Sequence, residues 1–473
     1  MNNREFPAVG ETAENLLKQL EDRKKDDLQW QSGKAFSYVY FADGMITETL
    51  KKAYTLFFSE NALNPSAFPS LRSMEIEVVD RCLGLFEAQE EAVGSMTSGG
   101  TESILMALKS AKEYAKIHKP HIEKPEVIFP LSAHPAFNKA CDYFGLEPKI
   151  TAINEDYTAN LQSLEAAVTE NTILIVGSAP SYPQGVVDPI TEIGQLAIKH
   201  NLLFHVDACV GGFVLPFIQN FEKQWNLSVP GVTSLSADIH KYGFASKGAS
   251  VILYNNPDLR KAQFYVYTDW PGGMYGSPAI LGTKPGGAIA VAWTVLHLLG
   301  RSGYEKLVNR SMDTSRKFRR LINSIEGLQV FGQPDMCIYS FGSDQFDIYD
   351  LGDEMHMLGW LMDRQQNPPA LHMSISPVHD KVFEEFEKDL RTCVQKVKRW
   401  NVASLKKQAQ LTANRGLKKL LPEKMYKKLQ DKVLENTDVD NKRSAAMYGL
   451  IGDLKGTGET DDLIRNFLDK MMK

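Results

Sequence analysis

The chain predicts an α/β fold, an open and largely parallel sheet covered by helices, followed by a smaller α+β unit. Three observations carry this reading. Short apolar runs recur at 93–96, 127–129, 149–153, 172–176, 202–207, 232–237 and 250–254, each of strand length. Helical periodicity lies between several of them, as at 102–117 and 160–168, and parallel strands require such crossovers. After about residue 301 the alternation gives way to a helix, strand-like residues at 331–341, a helix through 347–362 and a strand at 370–376.

The elements divide the chain into an N-terminal arm (1–70), a large domain (71–300) and a C-terminal small domain with a helical extension (301–473). The arm shows a polar helix pattern at 14–25, then Tyr38-Val39-Tyr40-Phe41, then an apolar stretch at 46–58. It has too little apolar periodicity to fold alone, so it is expected to pack on the body or on a second subunit. The apolar stretch 285–300 contains His297 and is shorter than the roughly 20 residues that span a bilayer, so it reads as a buried helix. Residues 400–443 are Lys-rich and read as an added helical hairpin.

Composition narrows the class. Hydrophobic content of 43% and charged content of 23% fit an ordinary globular protein. A net charge of −5 with mixed signs argues against nucleic-acid binding. The five cysteines (Cys82, Cys141, Cys209, Cys337, Cys393) are odd in number and lack a C-x-x-C pair, which points to reduced thiols, a cytoplasmic setting and no metal site. The N-terminus runs into a charged segment and carries no signal-peptide core.

Two segments carry the chemistry. Asp207 ends the run Leu202-Leu203-Phe204-His205-Val206, so its carboxylate is expected at the carboxyl end of a buried strand. About thirty residues on stands Ser236-Ala237-Asp238-Ile239-His240-Lys241-Tyr242-Gly243. A lysine in an apolar context can be tuned toward its neutral, nucleophilic form and hold an aldehyde as a Schiff base. A buried carboxylate needs a counter-charge, and a pyridinium nitrogen provides one. The pair points to pyridoxal 5′-phosphate (PLP), with Lys241 as the Schiff-base lysine. Ser98-Gly99-Gly100-Thr101 follows the first strand and opens a helix, where backbone N–H groups suit a phosphate. Ser236 and the Gly286-Gly287 turn are further candidate phosphate contacts. His240 reads either as a phosphate contact or proton carrier, or as support for Lys241. Cys209 reads as a packing residue of the site wall or a sensitive thiol, and His205 as a residue behind Asp207.

From Lys34 to about Pro377, and again at Ala446-Met447-Tyr448-Gly449, the chain resembles the sphingosine-1-phosphate lyases, within the fold-type I, aspartate aminotransferase-like PLP enzymes that include the group II amino-acid decarboxylases. The blocks that carry the resemblance are Thr97-Ser-Gly-Gly-Thr-Glu-Ser103, Ser132-Ala-His-Pro-Ala-Phe-Asn-Lys139, His205-Val-Asp-Ala-Cys209, Ser236 to Gly243, Thr268-Asp-Trp270 and Lys284-Pro-Gly-Gly287. The resemblance implies that His134 stacks on the cofactor ring and that Tyr182 and Tyr40 stand near the substrate, Tyr40 reaching in from a neighbouring subunit. It implies a substrate-phosphate site drawn from Asn61, Asn64, Lys247 and Lys284. It also implies a homodimer, with the 61–64 and Gly286-Gly287 turns approaching a partner's cofactor. Eukaryotic members are membrane-anchored, whereas this sequence resembles the soluble bacterial form. No transmembrane segment is expected, and peripheral membrane contact and export as an effector stay open.

The implied reaction cleaves a phosphorylated sphingoid base to a long-chain aldehyde and phosphoethanolamine. Lys241 and Lys247 are both candidates for the general base. Lys247 carries the discrimination, since decarboxylase relatives usually place apolar or small residues there. Two positions depart from the family pattern: Asn64 stands where histidine is common, and Lys284 where arginine is usual, which loses a bidentate fork. These departures keep an amino-acid decarboxylase open as the alternative, and a non-catalytic scaffold is the second rival.

Overall fold

A computed structural model describes residues 6–399 together with Asp461, Ile464, Arg465, Leu468 and Asp469. The hairpin expected at 400–443 and the block 446–449 lie outside the described residues.

The arm contributes α1 (Ala13–Arg23) and α2 (Gly44–Leu56), and α3 (Pro69–Leu85) leads into the large domain. There follow β1 (Val93–Thr97), α4 (Gly100–His118), β2 (Glu126–Pro130), α5 (Ala136–Phe144), β3 (Glu147–Thr151), α6 (Leu161–Ala166), β4 (Thr172–Ser178), α7 (Ile190–Lys199), β5 (Leu203–Asp207), β6 (Ser234–Ala237) and β7 (Ser250–Tyr254). All seven expected strands form one sheet in the order β1-β7-β6-β5-β4-β2-β3. Parallel pairing joins β6, β5, β4, β2 and β3, while β7 runs antiparallel to both β6 and β1. Six strands therefore point the same way. Thr97, Pro130, Ser178, Asp207 and Ala237 all end at one edge, and β7 begins there at Ser250. Every residue of β2, β4 and β7 is buried, as expected of strands covered on both faces.

Next come α8 (Pro257–Gln263) and a small hairpin that the apolar pattern does not reveal, β8 (Tyr265–Tyr267) with β9 (Tyr275–Ser277). Two helical segments, numbered together as α9 (Gly286–Asn323), meet at Gly300, whose φ of 55° and ψ of −174° are non-helical; the expected domain boundary falls at this position. The small domain holds β10 (Gln329–Val330), β11 (Ile338–Gly342), α10 (Ile348–Met357), β12 (Asp363–Gln366) and β13 (Pro369–Ser374), with a helix from 383 to 399. Its sheet is antiparallel, ordered β10-β11-β13-β12.

The arm is fastened to its own chain. Phe36 is fully buried between Phe318, Trp360, His379 and Phe386. Its N–H donates to the Leu361 carbonyl at 2.9 Å, and its carbonyl accepts from the Ser374 N–H at 2.8 Å. One buried aromatic side chain of this size contributes about 2–3 kcal/mol. That anchor fixes where Tyr40, four residues on, can reach.

Among the described residues no helix is long and apolar enough to cross a membrane. The five cysteines are free and buried.

Candidate active site

The site is built at the shared strand edge. β5 delivers Asp207, whose Oδ1 accepts from the Cys209 N–H at 3.0 Å and the Ser236 hydroxyl at 3.4 Å. Behind it, His205 lies 2.9 Å from Ser234 Oγ through Nδ1 and 3.2 Å from Ser236 Oγ through Nε2. One assignment satisfies all of these, with Ser234 donating to His205, His205 to Ser236 and Ser236 to Asp207. Burial holds the His205 ring down to about 4, so it is neutral. Ser236, expected at the phosphate, is fully buried and serves this relay behind the carboxylate.

β6 delivers Asp238 and the turn that carries Lys241. The Lys241 ammonium lies 2.9 Å from Asp238 Oδ2. Burial alone would disfavour its charge, but the Asp238 carboxylate more than reverses this and the net direction is upward. A carboxylate three residues earlier on the same turn supplies the counter-ion. Burial also opposes the Asp238 charge, and Lys241 and His240 together hold its carboxyl below the usual range. The turn is pinned from both sides, by Tyr242 Oη donating to the Ile375 carbonyl at 2.9 Å and Tyr304 Oη donating to the Gly243 carbonyl at 2.8 Å.

The glycine cup at 98–101 joins β1 to α4. A Cβ on Gly100 would meet the Asp238 carboxylate at 2.7 Å and Cys209 Sγ at 2.8 Å, and one on Gly99 would meet His240 Cε1 at 3.2 Å. Only glycine permits this approach, so the cup, His240 and Asp238 are in contact. Burial pushes His240 down to about 4. Its Nδ1 and Asp238 Oδ1 are buried without hydrogen-bond partners. One cup donor is already committed, because the Ser98 N–H donates to Glu102 Oε2 at 2.6 Å.

His134 stands in the loop after β2. Its Nδ1 accepts from the Ala136 N–H at 3.1 Å, which places the ring proton on Nε2. Burial lowers its pKa, and it feels the charges of Asp207, Lys241 and Asp238 together.

Tyr40 lies in its own chain's site. Its ring packs edge-on against Tyr242 at 4.7 Å, and Lys247 Nζ stands 5.4 Å from its centroid. The expected reach into a neighbour is replaced by this placement because the Phe36 anchor holds the arm on its own small domain. Burial raises the Tyr40 pKa and Lys241 opposes the rise. Tyr182 Oη donates to Asp363 Oδ2 at 3.2 Å, and its ring packs on His372 at 4.2 Å. The Lys247 pKa is lowered by burial and then by the charge of Lys241.

The remaining candidates gather elsewhere. Asn61 pairs with Pro285 in a short bridge, the Ala62 N–H donates to the Lys284 carbonyl at 3.0 Å, and the Gly286 N–H donates to the Glu60 carbonyl at 2.8 Å. The Asn61 and Asn64 side chains cap their own turn, accepting from Leu63 and Ser66 N–H groups. Lys284 is buried and pairs with Glu75, with the Met96 carbonyl 3.4 Å away. A buried ammonium requires such a counter-ion. Its side chain therefore lines the wall below the cup, beside Thr97 and Ser98, with its charge directed to Glu75. Gly287 packs beneath Tyr54, whose ring a Cβ would meet at 2.9 Å. Among the described residues no cluster of His, Cys, Asp or Glu is placed to hold a metal ion.

Sequence reasoning passed over Asp238, Glu102 and Asp363. The first two were visible inside quoted blocks, three residues before Lys241 and one after Thr101. Asp363 had no local signal.

An amine, a strand-end carboxylate, a glycine cup at a helix N-terminus and orphaned polar atoms between them fit PLP. Residues 1–342 match the family described as the pyridoxal-dependent decarboxylase conserved domain, and the chain belongs to that family, with PLP as its cofactor. Within it, the chain is 41% identical to the sphingosine-1-phosphate lyase of Oryza sativa over 83% of its length and 75% of the relative's. It is 35% identical to that of Saccharomyces cerevisiae over its whole length and 76% of the relative's. The solved sphingosine-1-phosphate lyase of Burkholderia pseudomallei superposes with a TM-score of 0.81 at 35% identity, covering 86% of this chain and 96% of that one. A glutamate decarboxylase of Lactobacillus brevis, at 18% identity and a TM-score of 0.73, shares the fold.

Proposed function

We propose that the protein is a carbon–carbon lyase that cleaves phosphorylated sphingoid bases to a long-chain aldehyde and phosphoethanolamine. The observation that carries this reading is a second amine in the pocket. Lys247 stands over Tyr40, has no ion-pair partner among the described residues, and is close enough to Lys241 for that charge to disfavour its own. A decarboxylase needs no such cation, whereas a substrate with a phosphate and a C3 hydroxyl does.

When bound, the cofactor supplies an electron-poor ring that accepts the electron pair released as the Cα–Cβ bond breaks. Asp207 keeps the ring nitrogen protonated, backed by the Ser236–His205 relay. His134, in the loop after β2, would pack against the ring. Ser98, Gly99, Gly100 and Thr101 hold the cofactor phosphate, with His240 beneath the cup. Lys241 would hold the cofactor aldehyde, and the Lys241 or Lys247 amine would take the C3 hydroxyl proton. Loss of that proton turns the C3 carbinol into the aldehyde, and the proton returned to Cα completes phosphoethanolamine. Tyr182, whose hydroxyl donates to Asp363, would stand beside the substrate with its proton already committed.

Product analysis tests this directly. Incubation with sphingosine 1-phosphate is expected to yield a long-chain aldehyde, and faster release of carbon dioxide from an amino acid would replace the lyase with a decarboxylase. The same assay reads Lys247 through pH. Its lowered pKa means that, as pH rises, the cation is lost at a lower pH than for an ordinary lysine. The kcat/KM for the phosphorylated substrate should fall on that alkaline limb. Lys247→Arg, charged throughout, should move the limb upward. An unmoved limb would take Lys247 out of phosphate binding.

The active unit in this reading is a homodimer. Its support is the apolar surface that one chain leaves open, where Trp270 is 53% and Met274 81% exposed. Sedimentation of the active enzyme should give twice the 53.0 kDa chain mass, and an active monomer would overturn it. The 61–64 turn and Lys284 remain candidates for a phosphate site completed by the partner. The five free thiols support a reducing, cytoplasmic location, which a disulfide in the native protein would contradict.

A further inference from the structure

Glu102 sits in the first turn of α4 and is 5% exposed. Both of its oxygens are committed to backbone donors. Oε2 accepts from the Ser98 N–H at 2.6 Å, within the phosphate cup. Oε1 accepts from the Ile280 N–H at 2.7 Å and the Leu281 N–H at 3.1 Å. Those two amides end the segment 264–281, which carries β8 and β9.

The other end of that segment is held by the same helix. Seven residues along α4, two turns on the same face, the Lys109 ammonium donates to the Ala262 carbonyl at 2.7 Å and the Phe264 carbonyl at 2.9 Å. Gln263 closes the base of the loop by donating to the Pro278 carbonyl, and Tyr254 Oη donates to Gln263 Oε1 at 2.9 Å. Between these fastenings β8 is exposed along its whole length.

A carboxylate in the first helical turn is favoured by the helix dipole, yet it would repel a phosphate bound at that N-terminus. Three N–H donors neutralise much of that repulsion and direct the charge toward the strap. We propose that Glu102 is a positioning residue that couples the phosphate cup to the 264–281 strap. One carboxylate fixes the Ser98 amide and the Ile280 and Leu281 amides at once, so filling the cup steadies the base of the strap and loosening the strap slackens the cup. The proposal rests on the cup's holding the PLP phosphate.

Amide hydrogen exchange on the full chain, with and without PLP, tests it. In the wild type, PLP should slow exchange at 98–101 and, by about tenfold or more, at 279–284. In Glu102→Ala the slowing at 279–284 should disappear while protection of β4 and β5 is unchanged. Cofactor affinity, read by fluorescence titration, should weaken by about tenfold, the scale of one charge-assisted hydrogen bond. Glu102→Gln, which keeps an acceptor oxygen and the side-chain shape, should retain part of both effects and serves if the alanine variant does not fold. Slowing at 279–284 that is undiminished in Glu102→Ala, or in Glu102→Gln if the alanine variant does not fold, or that is absent from the wild type while 98–101 is slowed, overturns the coupling. A wild type that forms no visible absorption band with PLP and shows no slowing at 98–101 instead overturns the cofactor-site reading beneath it.

Discussion

Lys241→Ala is expected to lower turnover by at least about a thousandfold, because the residue is proposed both to hold the cofactor and to be a candidate for moving the proton. Borohydride treatment of the wild type with PLP should fix the cofactor mass on Lys241, and the variant should show no adduct at that position. The structure adds a second consequence. Asp238 loses its 2.9 Å partner and stays in a site where its side chain is 1% exposed. An unpaired buried carboxylate there costs on the order of 3–5 kcal/mol, relieved in part by protonation. Denaturant unfolding of the ligand-free variant should show that loss, shrinking as the pH is lowered. Asp238→Asn together with Lys241→Ala should recover most of it, because no charge is then left unpaired. Near wild-type turnover for Lys241→Ala would remove the lysine from the chemistry. Full stability at neutral pH would separate it from Asp238.

Asp207→Asn is expected to lower kcat by about a hundredfold and to weaken cofactor binding, since a neutral amide cannot hold the charge of a protonated ring nitrogen. Asparagine keeps an oxygen for the Cys209 N–H and the Ser236 hydroxyl, so the fold should survive. Thermal unfolding of the ligand-free protein should therefore be nearly unchanged while the cofactor titration is not. His205→Ala removes the group behind Ser236 and should give a smaller loss of the same kind. An unchanged rate for Asp207→Asn would count against the pyridinium pairing.

Much of the fold was legible because it is written locally. Strand-length apolar runs and the helical period of α4 specify β1 to β7 and their crossovers, and parallel strands joined by helices bring their carboxyl ends to one edge. Asp207, Lys241 and the Ser98-Gly99-Gly100-Thr101 turn could be placed on that edge from their positions along the chain alone. The short, exposed β8 and β9 carried no such period, and β12 follows too closely on α10 for the pattern to separate them. Helical period continues on both sides of Gly300, so the pattern alone does not show the break that its non-helical backbone makes there.

What the tertiary structure decided is which charge faces which. Lys284 and Glu75 are 209 residues apart, and only the packing of α3 against β1 and α9 brings them together. The Phe36 anchor, made by side chains from 318 to 386, determines that Tyr40 enters its own chain's pocket. Lys241 reads as a nucleophile from its neighbours in sequence, but its charge in the ligand-free site depends on the depth at which Asp238 is buried beside it. Periodicity and turn chemistry act over a few residues and can be read from the chain. Ion pairing and desolvation depend on atoms brought within a few ångströms by the whole fold, and only the folded chain specifies them.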